Sequence, residues 1–247
     1  LADLVTEAWR TADSLYPSIQ FGKYDAFVIF HAGVGRDINL VPTLGYDPAP
    51  YDIPSLTFNL RTLRNYLKDQ SYSGIPVNRG TFRITNTMVL PETETRILRS
   101  GGIVDTLQGS INGLLANSFG SYLGLPDLFN TRTGDSGIGQ FGLMDIAGGF
   151  VFYGGLFPPE PSAWEKTYLG WVTPITIGPG STAISLPAVG LKTGRDTVYK
   201  IAVSDREYFL IENRTRDPKQ DGQRLTIRKG GTSVTRHFGQ DTTGFNF

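Results

Sequence analysis

The sequence predicts an α/β fold over residues 1–173 followed by a β-rich region over 174–247. Three observations carry this. The apolar run Tyr24–Phe30 suits a strand buried on both faces. Between Gly102 and Leu123, the residues Ile103, Leu107, Ile111, Leu114, Leu115 and Phe119 recur at helical spacing and make one apolar face. From Val172 onward the pattern changes to short β runs separated by turn signals.

In chain order, Ala2–Leu15 has the spacing of a short amphipathic helix (Leu4, Val5, Ala8, Trp9, Ala12, Leu15), stopped by Tyr16-Pro17. The predicted strand Tyr24–Phe30 turns away at His31-Ala-Gly-Val-Gly-Arg, and residues 38–56, rich in Pro, Gly and Asp, read as an irregular loop. Thr57–Leu67 is predicted helical, and Thr81–Leu90 alternates like a strand. Gly102–Leu123 is the strongest predicted helix, with Gly124 as its C-terminal stop. Residues 128–160 form a glycine-rich passage too long to be an ordinary connection. Pro161–Leu169 predicts a short helix with Trp164 and Tyr168 facing inward. Strands are predicted at Ile175–Ile177, Ala183–Leu186, Thr197–Val203, Tyr208–Ile211 and Leu225–Ile227, with turns at Gly178-Pro-Gly180, Lys192-Thr-Gly194 and Ser204-Asp205.

The chain has 247 residues, enough to bury a substantial core, and 23 basic against 23 acidic side chains give zero formal net charge. No long run of either sign suggests a nucleic-acid surface, and no apolar stretch is long enough to span a bilayer as a helix. Cysteine is absent, which excludes disulfides and thiolate metal sites. The start at Leu1-Ala-Asp-Leu and the stop at Gly244-Phe-Asn-Phe247 read as an internal piece of a longer, processed or truncated protein.

The most informative segment is Ala116-Asn-Ser-Phe-Gly-Ser-Tyr-Leu-Gly-Leu-Pro-Asp127. It has the frame of the zinc-protease pattern H-E-x-x-H-x-x-G-x-x-D, in which two imidazoles one helical turn apart and a later carboxylate hold the metal while the glutamate acts as base. Asn117 and Ser121 stand at the imidazole positions and Ser118 at the base, while Gly124 and Asp127 keep their places. Residues 117 and 121 lie on one helix face, displaced from the row through Leu107, Ile111 and Leu115, with Ser110 offset toward the same side. Asn and Ser offer neutral donors that hold zinc poorly, Asp127 alone cannot hold the ion, and a serine hydroxyl cannot act as the base. Neutral Asn117, Ser118 and Ser121 can instead hydrogen-bond to one another and to Asp127.

The motifs together resemble the immune-inhibitor-A-type secreted metallopeptidases, zincins by fold. Phe30-His-Ala-Gly-Val-Gly35 is similar to their strand end before the substrate cleft, and Gly113-Leu-Leu-Ala116 to the approach to the metal helix. Gly124-Leu-Pro-Asp-Leu-Phe129 looks like the close of the metal motif, and Phe141-Gly-Leu-Met-Asp145 like the turn that sets a methionine, here Met144, beneath the zinc. Ser162-Ala-Trp-Glu-Lys166 with Leu169-Gly-Trp-Val-Thr-Pro174 resembles the next helix and its exit, and Glu207-Tyr-Phe-Leu-Ile-Glu-Asn-Arg214 a following strand. The resemblance implies a zincin-like metallopeptidase domain with a following β-rich region. It also implies secretion, and relatives that continue past the position of Phe247.

The expectation is a catalytically inactive member: degenerate site positions Asn117, Ser118, Ser121, Asp127 and Met144, no catalytic residue, no cofactor and no zinc. Calcium could use Asp127 and amide oxygens, and one carboxylate is thin support for it. The expected role is a structural or binding module whose partner is protein, including itself, with no nucleic acid and no membrane span. One form is an extracellular polymer or surface layer, since zero net charge does not oppose close packing and the tail Gly239–Phe247 could extend a neighbour's sheet edge. Alternatives are a metallopeptidase with a rearranged metal site and a peptide-binding protein that keeps the old cleft. A serine hydrolase using Ser118 or Ser121 is disfavoured, because Gly120-Ser-Tyr-Leu-Gly124 is not the G-x-S-x-G elbow. His31 reads as structural or cleft-shaping and His237 as a surface residue. Trp164, Tyr168 and Trp171 read as core aromatics with sugar stacking as the alternative, and Asn213-Arg-Thr215 matches a glycosylation sequon at a strand end.

Overall fold

The first helix forms where its spacing places it: α1 spans Ala2–Leu15 in the computed structural model of the chain. The structure describes all residues except 101, 140, 146–154, 179, 181–182, 192–196, 216–217, 230 and 239–247. The expected β-adding tail Gly239–Phe247 and the turn at Lys192–Gly194 therefore lie outside the described residues. The architecture is mixed α/β, in two units: residues 1–124 with 153–156, and residues 125–152 with 157–247.

In the first unit α1 buries Ala2 and Val5 in a core shared with Phe21, Phe27, Phe58, Leu63, Ile75, Val77, Ile84 and Val89, with Trp9 and Ala12 packed against it. The Trp9 indole N–H donates to the Thr87 hydroxyl at 3.0 Å. Its ring meets Phe21 and Phe27 edge-on, with centroids 6.1 and 5.6 Å away. A three-stranded sheet lies beside this core in the order β1–β5–β2, built from β1 (Val28–Val34), β2 (Leu56–Asn59) and β5 (Asn86–Thr93). β5 runs parallel to β1 and antiparallel to β2.

The apolar run at 24–30 does not become a strand buried on both faces. Phe27 enters the core ahead of the strand, β1 runs on through His31, and Phe30 is 56% exposed. An edge strand has one neighbour and one wetted flank. It is the central β5 that is buried throughout Thr87–Pro91.

Three further expectations are revised by local chemistry. The loop 38–56 contains one helical turn, α2 (Val41–Leu44). Thr57–Leu67 divides into β2 and helix α3 (Leu60–Leu67), because the Asn59 side chain accepts from the Thr62 N–H at 2.9 Å and so caps a new helix. Thr81–Leu90 divides at Thr85: β4 (Phe82–Ile84) pairs with β3 (Ile75–Val77), and β5 follows.

The largest revision concerns Gly102–Leu123. Its first part is a strand, β7 (Ile103–Leu107), in an antiparallel hairpin with β6 (Arg96–Ser100). Helix α4 begins only at Asn112 and runs to Tyr122. Ile103, Val104 and Thr106 are β-branched and favour a strand, and Gly109-Ser110 interrupts any continuation. Ile103 and Leu107 therefore never join a helix face.

In the second unit the described part of 128–160 consists of turns and one isolated bridge, Phe129 to Ser136. Helix α5 spans Ala163–Tyr168 and opens with a reciprocal capping box between Ser162 and Glu165. It buries Ala163, Glu165 and Lys166. Tyr168 does not face inward: it is 57% exposed and stacks on the half-buried Trp164 with centroids 5.1 Å apart. A three-stranded sheet follows in the order β10–β9–β8, from β8 (Ile175–Ile177), β9 (Tyr199–Ala202) and β10 (Tyr208–Ile211). Ala183–Leu186 is not a strand; the Leu186 carbonyl accepts from the Asn213 side chain instead. β11 (Gln223–Lys229) is longer than predicted and pairs with an unpredicted β12 (Thr232–Phe238). Among the described residues no helix is long and apolar enough to cross a membrane.

Candidate functional site

Helix α4 packs against β2 and β5 and carries three of the five singled-out positions. Its ends are tied down: Asn86 donates to the Tyr122 carbonyl at 2.9 Å, the Tyr122 hydroxyl to the Asp25 carbonyl at 2.8 Å, and the Gly113 N–H to the Gly155 carbonyl at 2.8 Å. The buried residues are Gly113, Leu114, Ser118 and Gly120. Leu115 and Phe119, expected in the apolar row, are 37% and 42% exposed, and Phe119 stacks on Tyr122.

The helix is thus turned relative to the sequence expectation. Leu114 faces inward with the small residues Gly113, Ser118 and Gly120, and two large apolar residues face outward. Ser118, at the position of the base, is 6% exposed. The Thr57 hydroxyl lies 3.4 Å from the Ser118 carbonyl and donates to it. Asn117 and Ser121 are half-buried on the same helix. Ser110 lies outside the helix, and its hydroxyl accepts from the Asn112 N–H at 3.2 Å.

Gly124 ends α4 as expected. Its φ of 98° lies in the left-handed region, and its N–H donates to the Ser121 carbonyl at 3.0 Å. Asp127 belongs to the second unit, is exposed, and has no hydrogen bond among the described residues. Neighbouring atoms crowd the carboxyl although the residue as a whole is exposed, and this partial loss of water raises its pKa above the ordinary value. Met144, in the same unit, is 0% exposed, and its carbonyl accepts from the Leu128 N–H at 2.8 Å. Asn117, Ser118 and Ser121 are therefore brought together on α4, and Asp127 and Met144 by the pairing of Leu128 with Met144.

These donors do not fit zinc. The helix offers an amide and two hydroxyls, one of them buried, where zinc takes imidazole, thiolate or carboxylate. Among the described residues no three His, Cys, Asp or Glu side chains converge.

Sequence reasoning missed the buried and half-buried acids of the second unit. Asp145, 1% exposed, accepts from the Ser136 hydroxyl at 2.6 Å and from the Gly137 and Ile138 N–H groups at 3.2 and 3.1 Å. Glu165, 0% exposed, accepts from the Met144, Leu143 and Ser162 N–H groups. Glu212 accepts from the Ala163 N–H at 3.0 Å and pairs with Lys166 at 3.1 Å and Arg214 at 2.7 Å. Three of the segments that carried the resemblance are thus hydrogen-bonded to one another. The signal for Glu165 was available in the S-x-x-E spacing from Ser162.

The two histidines have structural surroundings. His31 Nδ1 lies 3.0 Å from the Ala32 carbonyl and Nε2 lies 3.2 Å from that of Ile53. His237 Nε2 lies 3.3 Å from the Asp221 carbonyl on an exposed strand. Comparison with protein-family models, with curated proteins and with solved structures returns no match to this chain.

Proposed function

We propose that this chain is a secreted, catalytically inactive homologue of the immune-inhibitor-A-type metallopeptidases, with a zincin-like architecture, acting as a structural or binding module. One form of that role is a subunit of an extracellular polymer or surface layer. The observation that carries the reading is Ser118: at the position where hydrolysis needs a base facing a water, there is a hydroxyl that is 6% exposed. Its neighbours Asn117 and Ser121 supply neutral donors. Gly124 stops the helix, and within the second unit Glu165 holds the turn containing Met144.

Metal analysis and assembly state of the purified chain test this reading. The expected results are zinc well below one per chain, no casein hydrolysis that a chelator abolishes, and sedimentation that shifts to larger species as concentration rises. Stoichiometric zinc with chelator-sensitive hydrolysis overturns it. A chain that stays monomeric at high concentration removes the polymer form and leaves peptide binding without turnover, read by calorimetry.

A further inference from the structure

Glu94 lies where three segments of the first unit close on one another. It is 0% exposed, and no donor reaches either of its carboxyl oxygens. A Cβ on Gly35 would stand 1.8 Å from Glu94 Oε1 and 2.7 Å from Asp37 Oδ2, and a Cβ on Gly109 would stand 2.7 Å from the Glu94 Cβ. Both carboxyl groups therefore crowd the bare Cα of Gly35 and approach each other there. Asp37 is already fixed by the Ser55 N–H at 2.8 Å and the Ser55 hydroxyl at 2.9 Å. Arg96, the nearest cation, is directed elsewhere: it donates to the Gly35 carbonyl and reaches Asp52 at 3.4 Å. A buried ionised carboxylate with no donor is strongly disfavoured, and a second carboxylate beside it disfavours it further.

We propose that Glu94 and Asp37 share one proton, and that this O–H···O bond is the clasp that closes the loop 36–55 onto the end of β5. The remaining contacts at the loop's neck surround the clasp. The Gly35 N–H donates to the Thr93 carbonyl at 3.0 Å and the Arg36 N–H to the Ile53 carbonyl at 3.3 Å. His31 touches the same Ile53 carbonyl from β1. Farther out, Arg36 pairs with Asp47 at 2.7 Å, and the loop displays Tyr51 at 95% exposure. Opening the neck would free this whole segment while the sheet beneath it stays paired.

The charged groups around Glu94 set the direction. Burial and the Asp37 carboxyl push its pKa from 4.5 up to about 8; Asp52 adds to the push and Arg96 opposes it. The folded chain thus keeps a proton that the unfolded chain gives up at the ordinary carboxyl range. The clasp is at full strength below that range, weakens as pH rises, and is gone once pH passes about 8. Above that, two adjacent carboxylates repel each other.

Hydrogen exchange of the full chain, corrected for intrinsic rates, reads the clasp on the amides of 36–55. Protection there is expected to fall about tenfold per pH unit between the ordinary carboxyl range and about 8, to level off above that, and to stay level throughout in Glu94→Gln, whose amide donates to Asp37. Asp37→Asn, which reverses the donor, is the second variant. The infrared band of a neutral carboxyl should be present in the wild-type chain at neutral pH and lost in Glu94→Gln. In the wild-type chain alone that band should also fade as pH passes about 8, which decides the question even if both variants fail to fold. An equal fall of protection in wild type and Glu94→Gln, or no such band, overturns the proposal. So does protection that rises with calcium and falls with chelator, which would place a cation between the carboxylates.

Discussion

The Met144 backbone N–H donates to Glu165 Oε1 at 2.6 Å, so a side chain from the first turn of α5 holds the turn that contains the buried methionine. The same carboxylate takes the N–H groups of Leu143 and Ser162. Glu165→Ala would remove the carboxylate that three buried N–H groups donate to, at about 1–3 kcal/mol each before relaxation. A net loss of about 3–5 kcal/mol is expected in denaturant unfolding, with the slope m unchanged. Glu165→Gln keeps an acceptor but turns amide hydrogens toward N–H donors, and should lose roughly 2 kcal/mol. A loss under about 1 kcal/mol in the alanine variant would mean that the turn holds itself.

Two adjacent leucines on α4 separate the observed helix orientation from the one its apolar row predicts. Leu114 is 8% exposed and Leu115 is 37% exposed. Leu114→Ala should cost about 2–4 kcal/mol through lost burial and the cavity left behind. Leu115→Ala should cost less than about 1 kcal/mol. The reverse order, measured by thermal or urea unfolding, would mean that the helix is turned the other way.

The difference between those leucines also explains what the sequence could convey. Helix α1 was legible because its apolar spacing is undisturbed and Tyr16-Pro17 stops it. In Gly102–Leu123 the apolar spacing continues across a strand and a helix, and periodicity alone cannot divide them; the β-branched Ile103, Val104 and Thr106 were the overlooked sign. Asn117, Ser118, Ser121 and Gly124 were correctly placed on or at the end of one helix, because i to i+4 spacing is a local property. Burial of Ser118 was not legible, since it depends on which face meets β2 and β5. Glu94 and Asp37 are 57 positions apart in the chain, and only the pairing of β1 with β5 brings them together.

Gly35 is required by its neighbours. An added methyl would overlap Glu94 Oε1 and stand 2.7 Å from the Pro91 ring as well as from Asp37. Gly35→Ala should therefore destabilise by about 2–3 kcal/mol through overpacking. Gly178→Ala, where nothing lies within 4 Å of the added Cβ, should stay within about 0.5 kcal/mol. Combining Gly35→Ala with Glu94→Ala removes the obstructing oxygen, so the double variant should cost less than the sum of the two single ones. Strict additivity in thermal unfolding would mean that the methyl and the carboxyl do not meet.

The sequon at Asn213-Arg-Thr215 should remain unmodified in the folded chain. Glycosylation joins the sugar to Asn Nδ2, and Asn213 Nδ2 donates to the Leu186 carbonyl at 2.9 Å. Its Oδ1 accepts from the Thr215 N–H at 3.0 Å and from the Thr215 hydroxyl at 2.6 Å, and the residue is half-buried. A sugar there would break the contact to Leu186 and crowd the bridge between Ala188 and Asn213. Treating the purified, folded chain with an oligosaccharyltransferase and a lipid-linked glycan donor should leave its mass without a glycan at this position. Asn213→Ala should lose about 1–2 kcal/mol for the hydrogen bonds removed. Full occupancy of the site, with unchanged unfolding behaviour, would mean that Asn213 is free of Leu186 in solution.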